Sequence, residues 1–180
     1  MSKRQDIDDY FLDLVKLIGS RGTCDRGKSG CVIVRDKHIL STGYVGSPVG
    51  VEHCDDIGHE FETRFNEDGS KTEHCIRTTH AEQNAIVNAA RHGSSIEGAT
   101  LYCTMVPCYT CIKLIINAGI KRVVADYDYH ASQRTKDIIN HLMLVHAIKL
   151  EMRHEKTMKY DNGDTLDVVN AKQTETSTTI

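Results

Sequence analysis

Two short motifs, His80-Ala81-Glu82 and Pro107-Cys108-Tyr109-Thr110-Cys111, constrain the fold of this 180-residue chain more than any other feature. A Cys-x-x-Cys spacing at a helix start offers two thiolates to one metal ion from a single turn. Pro107 suits such a start, and the helix it opens runs to about Asn117 before Gly119 stops it. Residues 80–92 (HAEQNAIVNAARH) read as another helix, closed by Gly93. For His80 to join the two cysteines, both helices must bring their N-termini to one point. The partial positive charge there favours thiolate and hydroxide. Three protein ligands leave a fourth tetrahedral position for water, as in catalytic zinc sites, and zinc lowers the pKa of that water to about 7. Glu82, two residues after His80, is placed beside the metal without binding it. A carboxylate there can take a proton from the water and deliver it to a substrate. A closed Cys-His zinc knot, with Glu82 as a surface acid, needs a fourth ligand close by.

The remaining chain supplies the frame. Residues 6–20 space Ile7, Phe11, Leu14, Val15 and Ile18 as one helical face. Residues 31–35 and 38–44 are β-rich runs separated by Asp36-Lys37, a hairpin. Strands are expected at 99–104, 121–127 and 147–152, with a helix at 132–146 that has Ser132 as its N-cap candidate. The order α, β-hairpin, loop, α, β, α, β, α, β predicts a three-layer α/β/α domain with a mixed five-stranded sheet: antiparallel at the hairpin, parallel later. The domain is expected over 1–160, and the polar, low-complexity end over 161–180 is expected to be a mobile tail. Residues 45–75 are Gly-rich, mixed in charge and without apolar period. A loop that long in one domain is expected to be functional, internally tied, or both.

The cysteines sharpen this. There are seven, and the start MSKRQDIDDY has no apolar signal run, so the expectation is a reducing, cytoplasmic setting with metal rather than disulfides. Cys31 and Cys103 sit in apolar strand runs and read as core. Cys24, Cys54, His59 and Cys75 surround the 45–75 segment and would make a closed structural zinc site, with His53 and His74 as neighbouring alternatives. A net charge of −3 argues against stable nucleic-acid binding, and no run of about 18 apolar residues suggests a membrane span.

With these residues in place, the chain resembles the deoxycytidylate (dCMP) deaminases of the cytidine deaminase superfamily over about residues 5–153. The resemblance is carried by the H-x-E…P-C-x-x-C pattern, by Ser20-Arg21-Gly22-Thr23-Cys24-Asp25-Arg26, Gly43-Tyr44-Val45-Gly46-Ser47-Pro48, Thr79-His80-Ala81-Glu82-Gln83-Asn84-Ala85-Ile86 and Asn117-Ala118-Gly119-Ile120-Lys121. It departs at Val45, where the family usually has Asn. It implies hydrolysis of dCMP to dUMP and ammonia, supplying dUMP for dTTP synthesis, with Glu82 as proton carrier. It further implies a homo-hexamer activated by dCTP and inhibited by dTTP, each with Mg²⁺. A second zinc fed by the 45–75 region also occurs among such enzymes.

A nucleotide phosphate needs local cations or N–H donors. Arg26 is the first candidate and Ser47 adds a hydroxyl. The Ala81 amide and the backbone near Cys108 would hold the base edge. Asn84 and Tyr129 resemble family positions near sugar, base or phosphate, and Arg91 resembles one linked to effector response. Each of these also suits an ordinary surface or capping residue. Other readings are a related deaminase acting on dCTP, tRNA adenosine, free cytosine or a pteridine-like ring, or a zinc-stabilised interaction module without turnover.

Overall fold

Asp36 and Lys37 both have positive φ (52° and 65°), as a two-residue type I′ turn requires. They join β1 (Gly30–Arg35) to β2 (His38–Tyr44) as an antiparallel hairpin, with one extra β2 residue opposite the Ile33/Val34 step. The computed structural model describes residues 4–65, 69, 71–129, 133–145, 147–153, 156–160 and 166–170. Next to β1 lies β5 (Thr100–Met105), antiparallel, followed by β6 (Arg122–Tyr129) and β7 (Lys149–Met152), both parallel to their neighbours. The expected five-stranded mixed sheet therefore has the order β2-β1-β5-β6-β7.

β1 is buried on both faces, and its alternating side chains divide the core. Val32 and Val34 face α1 (Ile7–Gly19), packing with Phe11, Leu12, Val15, Tyr102 and Val124. Cys31 and Ile33 face α3 (Ala81–Arg91), α4 (Tyr109–Asn117) and α5 (Gln133–Leu144), within a cluster that includes Ala85, Ile112, Ile115 and Ile139. This is the three-layer arrangement. Cys31 and Cys103 are directly paired across β1 and β5 and almost wholly buried, as core residues are. Among the described residues, no helix is long and apolar enough to cross a membrane.

α1 is capped by the Asp6 side chain, which accepts from Asp8 N–H at 3.1 Å. α3 presses so closely on β2 that a Cβ at Gly43 would collide with the Ala81 carbonyl oxygen and the Ala85 nitrogen. This contact sets the height of the His80 end of α3 above the sheet.

The 45–75 segment is not bare loop. It holds a one-turn helix, α2 (Cys54–Ile57), and a separate two-stranded hairpin, β3 (Phe61–Phe65) with β4 (Lys71–Cys75). All five β3 side chains are exposed, so it offers no core-facing alternation to read. Past β7, β8 (Lys156–Tyr160) pairs with the end of β6, and β9 (Leu166–Asn170) pairs antiparallel with β8. β9 falls within the stretch expected as a tail; 161–165 and 171–180 lie outside the described residues, as does Ser132.

Candidate metal centres

β5 ends at Met105, and Val106-Pro107 lead straight into α4. Its N-cap is Cys108, held extended (φ −68°, ψ 169°), and Cys111 follows one turn on, fully buried. His80 has the matching position on α3 (φ −68°, ψ 155°), where its backbone N–H donates to Gln83 Oε1 at 3.0 Å. α3 packs on α4, so the two N-termini meet.

His80 Nδ1 lies 3.6 Å from Cys108 Sγ and 3.4 Å from Cys111 Sγ. With Zn–S about 2.3 Å and Zn–N about 2.05 Å, a tetrahedral zinc site has an S···N edge of about 3.6 Å. The donor set fits zinc without rearrangement. Among the described residues no fourth His, Cys, Asp or Glu joins this group.

The charges agree. The hydrogen bond from Cys111, and then the one from His80, draws the Cys108 thiol down to about 3 against its burial. The Cys108 thiolate in turn raises the His80 imidazole to about 9. Glu82 sits in the first turn of α3 and is 8% exposed. Burial pushes its carboxyl above the usual range, opposed chiefly by the His80 charge.

A second donor group forms at the base of the β3–β4 hairpin, from Cys24, Cys54, His59 and Cys75. Cys54 Sγ lies 3.6 Å from Cys75 Sγ, and Cys24 Sγ lies 3.7 Å from His59 Nδ1. The corresponding tetrahedral zinc edges are about 3.8 and 3.6 Å. A disulfide, at about 2.05 Å, is far shorter, and all seven cysteines are free. On its other ring nitrogen His59 meets Asp25 Oδ1 at 3.0 Å, the carboxylate brace common behind metal-binding imidazoles. His53 and His74 do not join: His53 holds the N-cap position of α2 without a side-chain cap bond, and His74 Nε2 lies 3.2 Å from Thr72 Oγ1. Spacing alone did not point to Asp25, whose only sequence signal is adjacency to Cys24.

The other candidates are spread along the rim. Asn84 Nδ2 donates to the Tyr44 carbonyl at 2.8 Å, which fixes its side chain against β2. Ser47 Oγ is buried without a hydrogen-bond partner among the described residues. Ala81 is buried at the first position of α3. Arg26 Nη2 donates to the Glu73 carbonyl at 3.1 Å, and its guanidinium stands 4.8 Å from the Phe61 ring centroid. Arg91 is exposed at the far end of α3, opposite the metal end. Tyr129 closes β6, paired with Met158; its side chain lies outside the described residues. Val45 is buried against Cys24 and Cys54 of the second donor group.

Residues 5–126 match the family described as the cytidine and deoxycytidylate deaminase zinc-binding region. The chain is 41% identical over 122 residues to ComE operon protein 2 of Bacillus subtilis, covering 68% of this chain and 60% of that protein. It is 35% identical over 136 residues to deoxycytidylate deaminase of Saccharomyces cerevisiae, covering 76% and 42%. It thus spans between two fifths and three fifths of the length of these two relatives. Among solved structures, dCMP deaminase from cyanophage S-TIM5, in complex with dCMP and dUMP, matches with a TM-score of 0.61. The identity is 30%, over 84% of this chain and 99% of that one.

Proposed function

The chain belongs to the cytidine and deoxycytidylate deaminase family, and on that premise we propose that it hydrolyses dCMP to dUMP and ammonia. The observation that carries this reading is a buried Glu82 one turn into the helix capped by His80, beside a three-donor set with zinc-length edges to Cys108 and Cys111. A purely structural zinc has no use for a buried acid at that place. Zinc held by His80, Cys108 and Cys111 would supply a polarised water at neutral pH. Glu82 accepts the proton from that water and passes protons to N3 of the cytosine and to the departing amine. The Ala81 amide, at the N-terminus of α3, and the backbone beside Cys108 donate to the base edge. Asn84, pinned by the Tyr44 carbonyl, faces the sugar. Tyr129, at the end of β6, is assigned to the sugar, base or phosphate as in the family it resembles. Arg26 and the Ser47 hydroxyl serve the phosphate. The names of the yeast relative and of the cyanophage complex support dCMP as the substrate.

The second zinc belongs to Cys24, Cys54, His59 and Cys75, where it ties down the 45–75 insertion in a domain reaching to about residue 160. The proposal extends to regulation by dCTP and dTTP with Mg²⁺ in a homo-hexamer, with α3 linking Arg91 to the metal end. Seven free cysteines suit a reducing compartment, the cytoplasm.

The test is a substrate panel of deoxycytidine, dCMP, dCTP and CMP, with ammonia release measured with and without dCTP and dTTP as effectors. Turnover is expected to be fastest on dCMP, raised by dCTP and lowered by dTTP. No ammonia from any cytosine compound overturns the deaminase reading. A dCMP rate indifferent to both triphosphates removes the regulatory one.

A further inference from the structure

β2 ends the sheet: one edge is paired with β1, and no strand pairs with the other among the described residues. Backbone groups of alternate residues in a strand point to opposite edges. The Val45 N–H donates to the Ser29 carbonyl at 3.0 Å, on the β1 side. Ser41 and Gly43 share that side, so Thr42, Tyr44 and Gly46 turn to the outer edge. There α3 and the residue before its cap take the place of a strand. The Thr79 N–H donates to the Gly46 carbonyl at 2.9 Å, and the Gly46 N–H to the Thr79 carbonyl at 3.2 Å. Asn84 Nδ2 donates to the Tyr44 carbonyl at 2.8 Å, and Asn88 Nδ2 to the Thr42 carbonyl at 3.0 Å. The spacings match, because four helical residues rise about 6 Å and two strand residues about 6.7 Å. On the inner face the buried Ser41 hydroxyl donates to the Ala85 carbonyl at 2.7 Å.

We propose that Asn88 and Ser41 are positioning residues for the reaction: by fixing where α3 sits along β2, they hold His80 Nδ1 at the two cysteine sulfurs and Glu82 beside them. This rests on the deaminase reading above. Apolar burial is not directional, so the packing of α3 on the sheet leaves it free to slide. Hydrogen bonds to successive carbonyls do not, since a shift of one residue breaks them together. Thr79 clips only the residue before His80; the axial position of the helix body depends on the bonds further along. Asn88 stands eight residues from His80, about 12 Å along the helix, and Ser41 lies beneath Ala85. Both therefore act through α3 rather than on the substrate. A displacement of about 1 Å at reacting groups is enough to cost about 100-fold in rate.

Asn88→Ala and Ser41→Ala each remove one of these bonds. Arg122→Met breaks bonds to Asp8 on α1 and Glu151 on β7 instead, and so lowers stability without touching α3. The kcat and KM on dCMP, the calorimetric Kd of the product dUMP, zinc per chain and melting temperature are to be measured for each, with rates taken well below melting. In Asn88→Ala and Ser41→Ala, kcat is expected to fall about 10-fold. KM and the dUMP Kd stay within about twofold of wild type, and zinc per chain is unchanged. Melting temperature falls by about 2–4 °C, as for one lost hydrogen bond. Arg122→Met keeps kcat within about twofold. A kcat that stays within about twofold in Asn88→Ala or Ser41→Ala removes that residue from the role. An equal loss of kcat in Arg122→Met overturns the inference, since loosening anywhere then slows the reaction. KM and dUMP Kd rising in step overturn it as well, because the two residues then serve substrate binding. In each of these cases wild type still deaminates dCMP, and the deaminase reading stands. A wild type that releases no ammonia from dCMP overturns both.

Discussion

Glu82 and His80 differ by two positions, and that spacing gives them separate places in the fold. As N-cap, His80 is free of the helical backbone and can aim Nδ1 at both cysteine sulfurs. Glu82, two residues on, is carried into the buried interior of the same turn. Because Glu82 stands outside the donor set, metal retention and proton transfer separate in one substitution. Glu82→Gln is expected to lower turnover of dCMP by about 10³-fold, within the usual span for a lost general acid–base. The zinc content of the purified variant stays at the wild-type value. Wild-type rates in that variant show that another group carries the proton. Val45 illustrates the opposite case, a departure in a motif that resembles a substrate loop. Its side chain packs on Cys24 and Cys54, so its neighbours across the fold explain it.

Elements differ in how openly they announce themselves. α1 is legible from its apolar spacing and its Asp6 cap, and β1–β2 from two β-rich runs around Asp36-Lys37. The hairpin of β3 and β4 is not legible, because five exposed side chains in β3 leave no alternation between core and solvent. We propose that a metal held at its base by donors from four separate places, Cys24, Cys54, His59 and Cys75, keeps it in order. Removing one donor tests that dependence. Cys54→Ser is expected to lower the metal content from two zinc ions per chain to one. It costs about 2–4 kcal/mol of stability, or roughly 5–15 °C in melting temperature, since lost metal ligands belong among the larger single-residue effects. Metal analysis and thermal unfolding read both. Two zinc ions retained in that variant remove Cys54 from the second centre, and one zinc in wild type removes the centre itself.

Across the whole molecule, α1 is fastened to the far side of the sheet by charge as well as by its apolar face. Arg122 on β6 donates to Asp8 Oδ1 and Oδ2 at 2.8 and 2.7 Å and to Glu151 Oε2 at 2.6 Å, while Tyr102 O–H donates to Asp8 at 2.8 Å. The Arg122 bond holds Asp8 down to about 2 and Glu151 likewise to about 2. Depressed carboxylates stabilise the fold fully above their unfolded values, about 3.9 for Asp and 4.3 for Glu. The contribution is lost as pH falls through the folded ones. The network thus weakens between about pH 4 and pH 2. Arg122→Met is expected to cost about 1–3 kcal/mol at pH 7, a value reduced from the fully buried case because Arg122 and Glu151 are each about a quarter exposed. Melting temperatures measured from pH 7 to pH 2 should show the gap to wild type closing below about pH 4. A gap that is constant over this range means that packing of Arg122, rather than its charge, holds α1.

What the amino-acid order determined by itself was local and periodic. Helix starts at His80 and Cys108, their stops at Gly93 and Gly119, the Cys-x-x-Cys turn and the alternation of helix with strand all rest on interactions within a few residues. They are therefore written where they act, and they carry the three-layer fold and the catalytic donor set with them. Only the tertiary structure decided which of Cys24, Cys54, His53, His59, His74 and Cys75 converge, and that Asp25 braces His59. Those groups are up to about fifty positions apart in the chain. Their meeting depends on how an insertion without a periodic apolar face folds back onto the domain, and no short-range preference encodes that path.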